Sequence, residues 1–62
     1  MKFKKGSKVR FAQGVTVKRR GRPVEVDYNE VHEVISTTFG RIAIMLDGIG
    51  VVRVYIHQLE RA

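Results

Sequence analysis

Apolar residues recur at every second position through most of this chain, and that period fits strands rather than helices. Val9 and Phe11 alternate with Lys8 and Arg10, and Val15 and Val17 with Thr16 and Lys18. Val24, Val26 and Tyr28 flank Glu25 and Asp27. Ile42, Ile44 and Leu46 alternate with Arg41, Ala43 and Met45, and Val52, Val54 and Ile56 with Val51, Arg53 and Tyr55. The β-branched content of these runs suits a pleated, half-buried surface. The pattern predicts strands over 8–12, 15–18, 23–28, 31–38, 41–47 and 51–56. Turn residues separate them at Gln13-Gly14, Arg19 to Arg22, Asn29-Glu30, Phe39-Gly40 and Asp47-Gly48-Ile49-Gly50. The second glycine of the last group predicts a loop longer than two residues. Ile56-His57-Gln58-Leu59 predicts one helical turn before a short final strand at 60–62. The expected fold class is all-β.

Size narrows the architecture. A chain of 62 residues is expected to form a single domain over 1–62. It buries only about 60% of its unfolded surface, so its stability is slim. It has no cysteine to staple it. A compact core, self-association or a bound partner must supply the remainder. No apolar run approaches the ~20 residues of a membrane helix. Met1-Lys2-Phe3-Lys4-Lys5 is charged but no apolar stretch of a secretory signal follows. The expected compartment is the cytoplasm, with no membrane partner.

Five or six short strands in so few residues need to curl upon themselves, because an open sheet would leave its edges unpaired. The order runs from a strand through a long basic hairpin and three antiparallel strands to a helical turn and a last strand. With the opening Phe3-Lys4-Lys5-Gly6-Ser7-Lys8-Val9-Arg10-Phe11 and the closing Val52-Arg53-Val54-Tyr55-Ile56-His57-Gln58-Leu59-Glu60, this resembles the SH3-like small β-barrel. The resemblance places the hairpin at 15–28 in the position of the RT loop. That fold hosts many functions and does not choose among them.

Charge is what points to a partner. The net charge is +6. Residues 1–23 hold nine Lys/Arg and no acid, whereas 24–62 hold three arginines against six acids, 3 − 6 = −3. Such asymmetry suits a polyanion. The densest stretch is Lys18-Arg19-Arg20-Gly21-Arg22-Pro23. It resembles the core of an AT-hook. The resemblance implies that Arg20 and Arg22 lie along the minor-groove floor of A·T-rich DNA, that Gly21 lets the backbone approach, and that Pro23 turns the exiting chain. Lys18 and Arg19 would hold flanking phosphates. The match departs from the family after the proline, where Val24-Glu25-Val26-Asp27 brings carboxylates instead of cations. Lys2, Lys4, Lys5, Lys8 and Arg10 form a second basic group, expected to join the first if the N-terminal strand lies near the hairpin. Tyr28 and Tyr55 are candidate stacking platforms for bases, or strand residues with a wet hydroxyl.

The nucleic-acid site expected from sequence is therefore Lys18, Arg19, Arg20, Gly21 and Arg22 with Lys4, Lys5, Lys8 and Arg10. Duplex DNA is the favoured partner and suits a nucleoid, phage or plasmid setting. RNA binding and a protein-interaction module are the alternatives.

Catalysis finds little support in the residues. His32 and His57 are the only histidines, and neither has metal-ligand spacing around it. No serine or threonine has a base-and-orienter partner suggested by spacing. No metal or cofactor is expected. The chain also resembles the type II dihydrofolate reductases, tetramers of SH3-like barrels with one shared central site. Gly6-Ser7-Lys8-Val9-Arg10 through Gly14 follows that family's opening, Val52-Arg53-Val54-Tyr55 its Val-Gln-Ile-Tyr segment, and Leu59-Glu60-Arg61 its ending. Only Tyr55 carries over cleanly. Arg53 replaces the glutamine, Val54 the isoleucine, and Phe11 the pore lysine. A non-enzymatic protein is the expectation.

Overall fold

The computed structural model describes residues 3–62. Its strands are β1 (Lys8–Phe11), β2 (Val17–Arg19), β3 (Arg22–Val24), β4 (His32–Thr38), β5 (Arg41–Leu46), β6 (Gly50–Tyr55) and β7 (Leu59–Arg61). A single 3-10 turn, Ile56–Gln58, precedes β7. The protein is all-β, as the period of two predicts. The strands form two antiparallel sheets, one of five in the order β6-β5-β4-β1-β7 and one of two, β2-β3. No pairing between β6 and β7 closes a ring among the described residues.

One side of each alternation supplies the core. Val9 and Phe11 of β1, Val34 of β4, Ile42, Ile44 and Leu46 of β5 and Val52 and Val54 of β6 are buried together. Val17 joins them from the two-stranded sheet, while Val15, Val24, Val26 and Tyr28 pack half-buried at its margin. Ile56 leaves the pattern and is exposed. The chain has already begun the 3-10 turn there, so its side chain no longer points where a strand residue would.

The hairpin strands are shorter than predicted. Val15 is spent in a turn closed by its N–H to the Ala12 carbonyl (3.3 Å), and pairing between β2 and β3 stops at Val17 opposite Val24. Below that point the ribbon is held by side chains. The Tyr28 hydroxyl donates to the Val15 carbonyl (2.9 Å). The Gln58 amide donates to the Thr16 carbonyl (3.2 Å), and its oxygen accepts from the Tyr55 N–H (2.9 Å). Gln58 thus ties the 3-10 turn to the base of the ribbon.

The turns follow the sequence closely. The two glycines after Asp47 do lengthen that connection: Leu46 pairs with Gly50 across a three-residue loop. Thr38 pairs with Arg41, leaving Phe39 and Gly40 as a two-residue connection, both at positive φ (49° and 79°). Two such residues match the right-handed twist of the flanking strands, but the first position favours asparagine over a bulky ring. Phe39 is also 100% exposed. Phe39→Asn is expected to stabilise the fold by about 0.5–1 kcal/mol, a rise of several degrees in a thermal melt. A lower melting temperature would show that the ring has a contact worth more than its backbone strain.

Candidate nucleic-acid interface

The basic ribbon takes its shape from a two-residue turn. Arg19 pairs with Arg22 and Lys18 with Pro23. Arg20 and Gly21 make the connection, both at positive φ (54° and 79°). Gly21 therefore serves the turn: a left-handed position suits a residue without Cβ. The Arg20-Gly21-Arg22 segment is folded back on itself by this turn. Pro23 lies within β3 rather than turning the chain away, tolerated because each strand of a two-stranded sheet is an edge.

The cations of the ribbon fall into two groups. Lys18, Arg20 and Arg22 are exposed, and no ion pair holds any of them among the described residues. Arg19, which the sequence pattern places in the turn, is instead half-buried at the end of a strand. Alternate residues of a strand share a face, so Arg19 lies on the side of β2 that buries Val17. β2 packs beside β6, and Arg19 Nε donates to the Val51 carbonyl (3.3 Å). Gly50 leaves room for it: a Cβ there would come within 2.9 Å of Arg19 Nη2.

The N-terminal basic group is placed elsewhere. Lys4 and Lys5 are exposed in a turn ahead of β1, closed by the Ser7 N–H to the Lys4 carbonyl (2.9 Å). Lys8 Nζ is bound to Glu33 Oε1 (2.6 Å). The hydrogen bond from Lys8, then its charge, holds the Glu33 carboxyl below the ordinary range. Arg10 is half-buried and stands opposite Glu60 across the β1–β7 ladder. Lys5 borders a hollow that also carries Glu30, Glu33 and Asp47. β1 pairs with β4 and β7, whereas the ribbon lies beside β6. No strand pairing assembles the continuous nine-cation face that the sequence suggested, and Lys2 lies outside the described residues.

The ribbon's actual cationic neighbours come from β5 and β6. Arg41 and Arg53 border a recess of about 340 Å³ together with Lys18, Arg19 and Arg20, and no carboxylate lines it. Arg41 pairs with Tyr55 across the ladder, and its guanidinium carbon sits 4.5 Å from the Tyr55 ring centroid. The His57 ring stacks on Tyr55 at 5.8 Å and 9°. Sequence reasoning named the ribbon but not Arg41 or Arg53. The signal was present in the alternation: if Ile42 and Val54 face inward, then Arg41, Arg53 and Tyr55 share the outer face of one hairpin. Of the two tyrosines, Tyr28 is half-buried with its hydroxyl bound to the backbone, and Tyr55 is half-exposed.

Phe11, at the position of the reductase family's pore lysine, is fully buried. The His32 side chain is 7% exposed, lies 5.2 Å from the Phe11 ring, and its Nε2 has no hydrogen-bond partner among the described residues. Among the described residues no cluster of His, Cys, Asp and Glu has the makings of a metal site, and no helix is long and apolar enough to cross a membrane. No protein-family model matches this chain, and neither a curated protein nor a solved structure matches it.

Proposed function

We propose that this protein binds nucleic acid, duplex DNA in the first place, by gripping its phosphates with the β2–β3 ribbon and the adjoining outer face of β5 and β6. One observation carries the reading: Lys18, Arg20 and Arg22 project free of carboxylates, and the surface they adjoin adds Arg41 and Arg53 without a compensating acid. Charge gathered on one surface attracts a polyanion far more effectively than the same charge dispersed. We read the scaffold as an SH3-like small barrel. A long hairpin after β1, a 3-10 turn before the last strand and β1 lying between β4 and β7 support that reading.

The folded Arg20-Gly21 turn favours phosphate contacts over insertion of an extended arginine pair. A minor-groove reading keeps one support: Arg20 and Arg22 flank a residue without a side chain at a narrow tip. Titration of A·T-rich duplex, G·C-rich duplex, single strands and RNA at two salt concentrations tests the proposal. Steeply salt-dependent binding, tightest to duplex, is the expected result. Binding to none of them would overturn it, and tightest binding to RNA would replace DNA by RNA as the partner. A preference for A·T duplex would select the minor-groove reading.

A further inference from the structure

The recess between the ribbon and the β5–β6 hairpin differs from an ordinary cationic surface. Its guanidinium groups are positioned before any ligand arrives. Arg19 is anchored by its Nε to the Val51 carbonyl, in space beside Gly50 where a Cβ would come within 2.9 Å of Arg19 Nη2. That single bond uses one of five guanidinium N–H donors and leaves the others to bind elsewhere. Arg41 lies on the Tyr55 ring. A cation held over an aromatic face keeps its in-plane N–H groups free for an acceptor at its edge. Lys18, Arg20 and Arg53 complete the lining. Five like charges around one hollow repel one another, and an anion among them would relieve the repulsion.

We infer that this recess is a phosphate seat, suited to a group carrying more than one negative charge. Planar guanidinium forks match phosphate oxygens in pairs. Arg19 and Arg41 supply two such forks whose side-chain freedom is already restricted, which lowers the entropic cost of capture. The seat deepens the nucleic-acid reading but does not depend on it. The same chemistry is offered by a strand's terminal phosphate, by successive backbone phosphates and by free pyrophosphate.

The test uses the full chain and pyrophosphate, with ionic strength matched by sodium chloride. At about five times its dissociation constant, pyrophosphate is expected to raise the melting temperature by about 4–8 °C. Arg41→Gln and Arg53→Gln should each lose at least half of that rise, whereas Arg61→Gln, on β7 and away from the ribbon, should keep it. Both recess side chains are exposed, so the variants should fold. An NMR titration of the wild type adds a measurement independent of them: the Arg19 Nε–H resonance should move with pyrophosphate. No rise in melting temperature, an equal rise in all variants, or a stationary Arg19 signal would overturn the seat. Oligonucleotides competing for bound pyrophosphate then identify the source. Displacement by a 5′-phosphorylated strand alone assigns the seat to a chain end, and displacement by the 5′-hydroxyl strand as well assigns it to the backbone. If neither competes while the pyrophosphate response persists, the seat stands as a small-anion site and the nucleic-acid reading falls.

Discussion

Replacing Arg20 and Arg22 together by alanine is expected to weaken duplex binding by about 30-fold or more and to flatten its salt dependence. The reasoning is additive charge. The five cations lining the recess, with Arg22, make six candidate phosphate contacts. Each neutralised phosphate contributes about 0.9 to the slope of log affinity against log salt, so the wild type should show a slope near −5. That corresponds to an affinity loss of about 10³ between 50 and 200 mM salt. Removing two contacts should bring the slope to about −3.5, and two charge-assisted bonds at roughly 1–2 kcal/mol apiece give the affinity loss. Neither side chain supports the core, and Gly21 keeps the turn, so the melting temperature should hold. An unchanged slope would show that the ribbon does not touch phosphates. If the wild type prefers A·T duplex and the variant does not, the tip reads the minor groove.

The second large effect concerns the fold itself. Phe11→Ala is expected to cost about 3–5 kcal/mol. A domain of this size holds roughly 3–9 kcal/mol in all, so the variant should be largely unfolded at 37 °C. Phe11 is fully buried, pairs with Leu59 on β7 and meets the His32 ring of β4 at 5.2 Å. It therefore fastens both neighbours of β1 at once. Chemical denaturation monitored by circular dichroism gives the measurement. Phe11→Leu, which keeps most of the volume, should lose far less. A loss below about 1 kcal/mol for alanine would mean that the core collapses into the space, contrary to the close packing of interiors.

Much of this architecture is legible in the residues because the alternation is strong and the turns carry glycine. Seven strands, their turns and the closing helical turn stand within a few residues of where the pattern puts them. What the pattern misses is spatial. Alternation states which face a residue takes, not which strand lies beside it. The neighbours of β1 are set by long-range pairing to β4 and β7, so the N-terminal lysines had no visible place, and Lys8 met Glu33 from 25 positions away. The role of Arg19 was hidden similarly, since its acceptor is a backbone carbonyl 32 positions on. In sequence Gly21 stands out for the absence of its side chain, whereas the fold uses its freedom of φ. Arg41 and Arg53 are the instructive pair: the alternation puts them on one outer face, and the packing of β2 beside β6 sets that face against the ribbon.

The latched ribbon bears on how fast and at what cost a partner is met. Many basic segments are disordered until they bind and lose conformational freedom at that moment. This one is fixed at its tip by two left-handed residues and at its foot by Tyr28 and Gln58. Docking then requires no coupled folding. Association should proceed at rates governed by electrostatic steering, with a heat-capacity change too small for a segment that folds on contact.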